Sequence, residues 1–412
     1  MTLSRRRFLQ RSALATSTLI AAPAVFRSGA LAAENPITVG SLHDQSGPIG
    51  TSGTPMVYAL QLAVDEINAG GGLLGRPLKV IHYDTQSNIQ LYSQYAQQLA
   101  VKDKVDVVHG GITSASREAI RPTFDRFKVL YFYNTLYEGG VCDRNTFCTG
   151  TTPAQTVEKL VPSAMKKAGK KAYIIAADYN YGQITAKWMT KYCKDNGGEI
   201  LSTDFFPLDV TNFGSTISKI QAAKPDLILS ALVGGNHTAF YRQWTAAGMK
   251  GKIPIASTTF GLVNEPSTLD AAESDAIIGA YGYFEELTTP ASKSFVEKIK
   301  KAHPDSPYIS ELASCTYEGV MLWAEGVKKA GSIDRMKVIE ALESGLVFDG
   351  PSGKVSLDKQ THHTVRNAFL AEVKDRKWSV LETYTDAKPA DTASVCDLVK
   401  NPNDVKQYII NL

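Results

Sequence analysis

The sequence lacks the short motifs that mark the common enzyme active sites. It contains no His-Glu-x-x-His, no Gly-x-Ser-x-Gly, no Gly-x-x-x-x-Gly-Lys followed by Ser or Thr, and no Cys-x-x-Cys. These motifs supply a zinc site, an activated serine, a phosphate-binding loop and a redox or metal-binding cysteine pair. The one adjacent histidine pair, His362-His363, lies in a polar segment that predicts a solvated turn. We therefore expect no catalytic residue, no metal and no cofactor, and a protein that is not an enzyme.

The amino-terminal region lacks a hydrophobic run long enough to cross a bilayer. Ser4-Arg5-Arg6-Arg7-Phe8-Leu9-Gln10 precedes a weakly apolar stretch from about Ala13 to Phe26, and Ala30-Leu31-Ala32 follows it. A bilayer span needs about 20 apolar residues, so this stretch is too short for an anchor. The paired arginines, the apolar stretch and the small residues are together typical of a twin-arginine export signal over residues 1–32. We expect export to the periplasm and no direct membrane anchor.

The mature chain lacks an excess of either charge. Five arginines and no acidic residue precede Ala33, so removal of the signal leaves 39 basic and 41 acidic residues. The net charge of the mature protein is then −2, although that of the full chain is +3. A protein without a basic run has no electrostatic attraction for nucleic acid, which is therefore not an expected partner.

Cysteine is scarce, with five residues in 412, and the first is Cys142. No cysteine is therefore placed to receive a lipid at a processed amino terminus. In the oxidising periplasm, Cys142 and Cys148 bracket a short loop and are the best candidates for a disulfide. At least one of Cys193, Cys315 and Cys396 then stays unpaired, because the total is odd.

The chain does contain a regular alternation of strand and helix patterns. Strand patterns occupy residues 36–43, 78–83, 105–108 and 129–132, then 172–176, 199–206 and 227–232, and finally 353–357, 368–373 and 378–383. Helix patterns lie between the early strands, and three more occupy residues 290–302, 310–330 and 335–346. A βαβα rhythm predicts a parallel sheet covered by helices on both faces, and its repetition predicts two sheets.

Several stretches resemble the type I periplasmic solute-binding family. They are Ser46-Gly47-Pro48, Ala63-Val-Asp-Glu-Ile-Asn-Ala-Gly-Gly-Gly-Leu-Leu-Gly-Arg-Pro77, Gly110-Gly-Ile-Thr-Ser-Ala-Ser116, Lys224-Pro-Asp226 and Leu232-Val-Gly-Gly235. The resemblance covers essentially the whole mature chain. It implies an α/β fold of two doubly wound parallel-sheet lobes joined by three crossovers, with a ligand held between the lobes. Lobe 1 would comprise residues 34–153 and 286–348, and lobe 2 residues 154–285 and 349–412.

Within that family, four further stretches are similar to the urea and short-chain amide binders. They are Tyr133-Asn-Thr-Leu-Tyr-Glu-Gly139, Ala177-Asp-Tyr-Asn-Tyr-Gly182, Ile255-Ala-Ser-Thr-Thr259 and Thr289-Pro-Ala-Ser292. The Tyr-Glu-Gly element with the cysteine-bracketed loop after it is the most specific of these. The resemblance implies that Ser114, Tyr133 and Thr135 contact the ligand from one lobe. It implies that Tyr179 and Tyr181 contact it from the other.

The residues themselves fit these positions and also fit plainer roles. Ser114 and Thr135 follow two predicted strands, and ligands bind beyond the carboxyl ends of parallel strands. Ser114 also starts a predicted helix, so it fits an N-cap, a ligand contact or both. Tyr179 and Tyr181 point the same way if their segment is extended, and they then form either one wall of a cleft or ordinary packing between lobes.

A missing carboxylate indicates a neutral ligand. Amino-acid binders of this family place an acid near the segment that reads Ser257-Thr258-Thr259 here, where it holds the ammonium group. Thr258 and Thr259 offer hydroxyls instead, and an ammonium buried without a partner costs several kcal/mol. Glu138 and Asp178 stay open, since each fits either an inward contact with a ligand nitrogen or a salt bridge at the surface or hinge.

We therefore predict the solute-binding component of an ATP-binding-cassette importer, which takes urea or a short-chain amide and is recognised by a membrane permease. The lobes are expected to close on the ligand by a hinge motion. The alternatives are a binding protein for branched-chain or other amino acids, and an amide-sensing regulatory protein. The export signal argues against a regulator that acts in the cytoplasm.

Overall fold

The computed structural model describes residues 35–409. The predicted export signal, residues 1–32, lies outside the described residues. None of the helices between residues 35 and 409 combines the length and the apolar character that crossing a bilayer requires.

The first part of the described chain alternates strands and helices, as the sequence predicts. Its elements are β1 (Ile37–His43), α1 (Gly50–Ala69), β2 (Leu78–Asp84), α2 (Ile89–Gln97), β3 (Val107–Gly110), α3 (Ser114–Phe127), β4 (Leu130–Tyr133), β5 (Val141–Asp143) and β6 (Thr146–Cys148). A π-helical stretch, Gln98–Asp103, continues α2. The hydrophobic patterns located β1, β2, β3 and β4 to within two residues, because each buried strand is a short apolar run between turn signals, but they did not predict the three-residue strands β5 and β6.

The second part repeats the alternation and ends in longer helices and antiparallel strands. Its first elements are α4 (Val157–Ala168), β7 (Lys171–Ala177), α5 (Asn180–Asp195), β8 (Glu199–Phe206), α6 (Gly214–Ala223), β9 (Leu227–Ala231), α7 (Asn236–Ala246), β10 (Ile255–Ser257), α8 (Glu265–Thr268), α9 (Ala271–Ser274) and β11 (Ile278–Tyr281). They are followed by α10 (Pro290–Ala302), α11 (Glu311–Ala330), α12 (Arg335–Leu342), β12 (Val347–Gly350), β13 (Gly353–Asp358), β14 (His363–Lys374), β15 (Lys377–Ala387), α13 (Ala390–Ala393) and β16 (Val405–Gln407).

The strands form two parallel arrays, one in each lobe. The first array has the order β2-β1-β3-β4-β6, and the second has the order β8-β7-β9-β10-β11. Strand β14 joins them, since His363 pairs with Cys148 of β6 and Phe369 pairs with Tyr281 of β11. The predicted α/β fold with two parallel-sheet lobes is confirmed, whereas the proposed lobe boundaries stay a prediction.

Helices α1 and α11 pack together on one face of the first sheet. The apolar side of α1 includes Leu60, Val64 and Ile67, and it contacts a core that contains Trp323 and Val327 of α11. These side chains are buried because the spacing of three and four residues places them on one face of each helix. Burying each one fully stabilises the fold by about 1.5–3 kcal/mol.

Three chain segments cross between the lobes, and the amino-terminal half of α11 binds all of them. Glu311 Oε1 accepts hydrogen bonds from the amide nitrogen and the hydroxyl of Thr151, at 2.9 and 2.8 Å, in the crossover after β6. Glu311 Oε2 accepts one from the amide of Gly282, at 2.7 Å, in the crossover after β11. In β14, Arg366 pairs with Glu318 at 2.8 Å and donates to the carbonyl of Thr149 at 2.7 Å. The three crossovers form the hinge, and they are therefore held together by buried hydrogen bonds and one buried ion pair.

A disulfide attaches the carboxyl-terminal segment to the first lobe. It joins Cys142 to Cys396, which are separated by 254 positions, whereas Cys148, Cys193 and Cys315 are free and buried. The predicted Cys142–Cys148 bridge is wrong. Cys148 belongs to β6, inside the parallel sheet, where its side chain packs in the core of the first lobe. Cys142 belongs to β5, which pairs with β16 in a separate two-stranded sheet close to Cys396.

The predicted solvated turn at His362-His363 is also wrong, because both side chains are 1% exposed. His362 stacks on Phe147 at 4.3 Å between ring centroids, and its Nε2 lies 3.0 Å from Glu343 Oε1. His363 Nε2 contacts the hydroxyl of Tyr137, and its Nδ1 lies 2.8 Å from the carbonyl of Thr361. The polar sequence of this segment reflects internal hydrogen bonds.

The disulfide assignment predicts three free thiols in the unfolded, unreduced mature protein. Cys148→Ala leaves the bridge intact, whereas Cys396→Ala removes it and exposes a fourth thiol by freeing Cys142. Loss of a native disulfide costs about 2–5 kcal/mol of stability. We expect a lower thermal midpoint for Cys396→Ala than for Cys148→Ala. Alkylation followed by mass spectrometry counts the thiols, and a peptide linked through Cys142 and Cys148 would contradict the assignment.

The burial of His109 predicts that the folded protein loses stability at acid pH. His109 of β3 is fully buried and stacks on Phe132, and burial lowers its pKa to about 3. The unfolded chain takes up this proton near pH 6.5, so the stability contributed by neutral His109 is present above pH 6.5 and is lost as the pH falls. Between pH 7 and pH 5 the loss is about 2 kcal/mol. Calorimetry should show that the free energy of unfolding falls by about 2 kcal/mol less in His109→Leu than in the wild type between pH 7 and pH 5. If both proteins lose the same stability over this range, His109 does not contribute to the acid sensitivity.

Candidate functional site

A cavity lies between the two lobes, at the carboxyl ends of their parallel strands. Its volume is about 60 Å³. The first lobe contributes the loops after β3 and β4 and the start of α1, and the second lobe contributes residues that follow β7, β9 and β10. Leu312, in the first turn of α11, lines it beside the hinge. This is the position where open parallel sheets bind ligands.

Six of the eight residues predicted from the sequence to contact a ligand line this cavity. They are Ser114, Tyr133, Thr135, Tyr179, Tyr181 and Thr259. The other two, Glu138 and Thr258, lie directly behind the lining and hydrogen-bond to lining residues. The sequence interpretation therefore brought together residues from both lobes, which are up to 145 positions apart.

Ser114 is not the N-cap of α3, although its position in the sequence suggested that role. The N-cap of α3 is Thr113, whose hydroxyl accepts a hydrogen bond from the amide of Ser116 at 3.1 Å. Ser114 is the first residue of α3, and its hydroxyl donates to Glu138 Oε2 at 2.5 Å. The start of α3 is aimed at the cavity, so its first amides and the Ser114 oxygen face any bound molecule.

Glu138 forms a buried ion pair behind the cavity lining, and this pair is not the surface or hinge salt bridge that the sequence left open. Its Oε1 lies 3.0 Å from Arg117 Nη2, and both side chains have no exposed surface. Gln407 of β16 donates to the same oxygen at 2.6 Å. Burial alone lowers the pKa of Arg117, but the Glu138 carboxylate reverses this and raises it well above the usual value. The negative charge of Glu138 is therefore compensated by Arg117 inside the first lobe.

Asp178 lies outside the cavity. Its side chain is exposed, and Oδ1 accepts a hydrogen bond from Gln183 at 2.9 Å. Of the two acids that the sequence left open, neither lines the cavity, and only Glu138 touches a lining residue.

The carboxyl-terminal segment supports this part of the site. Its strand β16 pairs with β5, and the carbonyl of Val405 accepts a hydrogen bond from Arg121 at 2.7 Å. Tyr408 donates its amide to the carbonyl of Gly140 at 2.7 Å. Gly140 has φ of 92°, and a Cβ there would lie 2.0 Å from the Tyr408 carbonyl oxygen, so only glycine fits. The Glu-Gly-Gly sequence at 138–140 is thus a docking point for the carboxyl-terminal segment.

Tyr179 and Tyr181 form part of one wall, although their segment is not an extended strand. Tyr179 is the N-cap of α5 and Tyr181 is its second residue. Their ring centroids are 6.1 Å apart at an interplanar angle of 33°. The Tyr181 hydroxyl donates to Thr258 Oγ1 at 3.0 Å. Both rings line the cavity because the start of α5 is aimed at it, and not because of strand alternation.

Four polar residues of the cavity escaped the sequence interpretation, namely Ser52, Thr113, His237 and Glu265, and the last two are titratable. Glu265 begins α8, and its Oε2 accepts hydrogen bonds from the amides of Gly261 and Val263 at 3.0 and 3.1 Å. Burial raises the pKa of Glu265 to about 7. The expectation that no acid serves this wall is therefore wrong, because the loop after β10 folds back and returns an acid six positions beyond Thr259.

His237, in the first turn of α7, is 1% exposed. Burial lowers its pKa to about 4, although the nearby carbonyl of Leu232 opposes the shift. Within the described residues, neither ring nitrogen has a hydrogen-bond partner of normal geometry. A neutral imidazole of this kind presents one donor and one acceptor. The only local signal was the Gly-Gly-Asn-His sequence at 234–237, which follows β9 as a helix start.

Residues 35–409 contain no group of three or more histidine, cysteine, aspartate or glutamate side chains arranged to hold a metal ion. The polar groups of the cavity are hydroxyls, one carboxyl group, one imidazole and backbone amides. Such a set suits recognition of a small polar molecule by hydrogen bonds.

Comparison with protein families gives one match that spans most of the chain. The family is described as periplasmic binding protein, and the match covers residues 36–377. Leu/Ile/Val-binding protein homolog 7 of Brucella abortus (strain 2308) is 25% identical over 352 residues, which cover 81% of this chain and 86% of that protein. Homolog 6 of the same strain is 24% identical over 366 residues, with coverage of 86% and 92%.

Solved structures share the fold. A solute-binding protein of an ABC transporter from Rhodopseudomonas palustris BisB5, in complex with 3,4-dihydroxybenzoic acid, has a TM-score of 0.78 at 22% identity and covers 86% of this chain and 99% of its own. The leucine-, isoleucine-, valine-, threonine- and alanine-binding protein of Brucella ovis, in a closed conformation, has a TM-score of 0.76 at 20% identity, with coverage of 86% and 97%. At these identities the likeness concerns the fold alone.

The buried ion pair predicts a large stability loss on removal of one partner. Arg117→Met leaves the Glu138 carboxylate buried without its cationic partner, which costs about 3–5 kcal/mol. The double variant Arg117→Met/Glu138→Gln removes the unpaired charge and should recover part of this loss. Thermal unfolding of wild type, both single variants and the double variant measures the coupling. Additive losses would show that the pair does not interact as described.

Proposed function

The chain belongs to the periplasmic binding protein family, and from this membership and the cavity we propose that it is the solute-binding component of an ABC importer for urea or a short-chain amide. The single observation that carries the choice of ligand is a small cavity lined by hydroxyls and one carboxyl group, without a cationic side chain. Membership of a binding-protein family supports binding rather than catalysis. Export through the twin-arginine pathway and recognition by a membrane permease belong to the same proposal.

The charge of the cavity disfavours ligands that carry a carboxylate. None of the described residues that line it is a lysine or an arginine, and Glu265 contributes the one acidic group. Arg117, the cation behind Ser114, is already paired with Glu138 and Glu118. A benzoate would therefore place its charge near an acid without a free cationic partner, which is costly in a desolvated site.

The volume of the cavity favours a molecule smaller than an aromatic ring. An engineered protein cavity of about 150 Å³ is known to hold benzene. The present cavity, at about 60 Å³, is less than half as large. Urea, formamide and acetamide each contain three or four non-hydrogen atoms and match such a volume, whereas leucine and the benzoates need a more open arrangement of the lobes.

A small amino acid is the second candidate, and Glu265 is the observation that favours it. The carboxyl group of Glu265 is suited to an ammonium group, and the first amides of α3 are suited to a carboxylate. The names of the Brucella relatives point to the same class. The small volume of the cavity favours alanine or glycine over the branched-chain amino acids. A ligand screen separates this candidate from the amides.

The test is a thermal-shift screen of mature protein that has been denatured, dialysed and refolded to remove bound solute. The compounds are urea, formamide, acetamide, alanine, leucine, valine, glutamate and benzoate. A ligand at a hundredfold excess over its Kd stabilises the folded protein by about 2.7 kcal/mol, which gives a measurable shift. Stabilisation by urea or a short amide supports the proposal, and stabilisation by amino acids or benzoate alone refutes its ligand.

A matched pair of threonine variants tests the location of the site. Thr135→Val removes a hydroxyl that lines the cavity, whereas Thr216→Val removes one that is buried in α6, outside the cavity. Loss of one buried hydrogen-bond partner costs about 1–3 kcal/mol. We expect calorimetric titration to give a Kd at least fivefold weaker for Thr135→Val and an unchanged Kd for Thr216→Val. Equal binding by both variants would place the ligand elsewhere.

A further inference from the structure

A tryptophan of the second lobe donates a hydrogen bond to the first lobe outside the cavity. Trp188 belongs to α5, which follows β7 of the second array, and Glu138 follows β4 of the first. The indole Nε1 of Trp188 lies 3.1 Å from the backbone carbonyl oxygen of Glu138. Both residues are buried, and neither lines the cavity. This contact, which we call the interlobe bond, therefore joins the lobes without touching the space for a ligand.

The structure shows the lobes in contact with each other. Ser114 and Tyr181 line the cavity from opposite lobes, and their exposed fractions are only 1% and 5%. Ile49 of the first lobe packs in the same apolar core as Trp188 and its neighbours in the second. A solute enters only when these surfaces separate, and the interlobe bond is lost with them.

The interlobe bond differs from the hydrogen bonds near the hinge. One of those runs from the amide of Tyr308 to Asn264 Oδ1, at 2.7 Å. Tyr308 is attached to the crossover after β11, because its hydroxyl donates to Glu286 Oε2 at 2.6 Å. Among residues 35–409, Trp188 forms no side-chain hydrogen bond to a crossover residue. The interlobe bond can therefore break while the crossovers stay intact.

The first lobe holds the acceptor of the interlobe bond in place. The Glu138 carboxylate pairs with Arg117 at 3.0 Å, and it accepts hydrogen bonds from Ser114 at 2.5 Å and from Gln407 at 2.6 Å. All of these partners belong to the first lobe or to the carboxyl-terminal segment attached to it. The carbonyl group therefore needs little ordering when Trp188 arrives, and a preorganised acceptor lowers the entropic cost of the contact.

The donor is held by its own helix. The ring of Trp188 stacks on Tyr192, one turn further along α5, with 5.5 Å between the centroids and an interplanar angle of 20°. An indole N–H can only donate, so it loses its protein partner when Glu138 moves away. Separation of the lobes also exposes apolar ring surface to water. Both effects favour the closed arrangement, and neither depends on the ligand.

We propose that Trp188 is a positioning residue for ligand binding, because its bond to Glu138 stabilises the closed arrangement of the lobes. The inference rests on the proposed function only in requiring a solute that the lobes enclose. When a ligand binds the closed form, its apparent Kd is the intrinsic Kd divided by the closed fraction. Loss of the interlobe bond lowers that fraction and weakens every ligand by one common factor. A residue that touches the ligand changes the affinities of different ligands by different factors.

Trp188→Phe tests the interlobe bond, because it removes the N–H donor and keeps an aromatic ring for stacking. Trp244→Phe is the matched control. Trp244 is buried in α7 and does not line the cavity, and its Nε1 has no hydrogen-bond acceptor among residues 35–409. The same substitution there removes the same atoms from the second lobe and leaves the interlobe bond in place.

Calorimetric titration of the refolded, solute-free mature proteins uses urea, acetamide, alanine, leucine and benzoate as probes. One net hydrogen bond corresponds to a factor of about three to ten in Kd. We expect Trp188→Phe to raise the Kd of every compound that binds by one common factor in this range, and Trp244→Phe to leave the Kd unchanged. Equal Kd values for wild type and Trp188→Phe would overturn the inference, and so would a factor that differs from one compound to another.

Small-angle X-ray scattering of the solute-free proteins tests the interlobe bond without a ligand. We expect a larger radius of gyration for Trp188→Phe than for wild type and Trp244→Phe, because the open population grows. Binding of leucine or benzoate alone refutes the ligand of the proposed function, while the Kd of that compound still decides about Trp188. If none of the five compounds binds, the scattering decides, and equal radii of gyration overturn the inference.

Discussion

The Glu311 carboxylate connects the two lobes through hydrogen bonds, and the position of the cavity depends on it. It accepts bonds from Thr151 in one crossover and Gly282 in another, and both lie within 2.9 Å. Its neighbour Leu312 lines the cavity, so the same helical turn that holds the crossovers also forms part of the cavity wall. Any movement of one lobe relative to the other must preserve these bonds or leave a buried carboxylate without partners, which is costly.

A second constraint is the neutralisation of charge behind the first-lobe wall. Arg117 and Glu138 are fully buried, and each satisfies the other through a contact of 3.0 Å. The pair orients Ser114 through Glu138 Oε2 and receives Gln407 from the carboxyl-terminal segment. That segment is in turn fixed by the disulfide of Cys396. The orientation of Ser114 on the cavity wall thus depends on a segment more than 250 positions away in the sequence.

Sequence patterns predicted local features well and distant pairings poorly. Seven of the ten strands of the parallel arrays follow from apolar runs, which are properties of neighbouring residues, whereas β6, β10 and β11, of three or four residues each, were not predicted. Spacing also suggested the Cys142–Cys148 bridge, because a short loop is the simplest closure. It failed because β5 and β6 place the two side chains in different packing environments and bring Cys396 to the first. The acid of the second lobe was missed for the same kind of reason, since a loop returns Glu265 to the cavity.

The sequence by itself determined the α/β alternation, the family, and six of the eighteen residues that line the cavity. Ser114, Thr135 and Tyr181 lie next to strand ends or helix starts, and chain order alone places such positions at one edge of a parallel sheet. Only the tertiary structure decided the donors and acceptors of those residues. A hydroxyl can donate or accept, and its role is fixed by whichever carbonyl or carboxylate packs behind it. That neighbour comes from another part of the chain, so no local pattern encodes it.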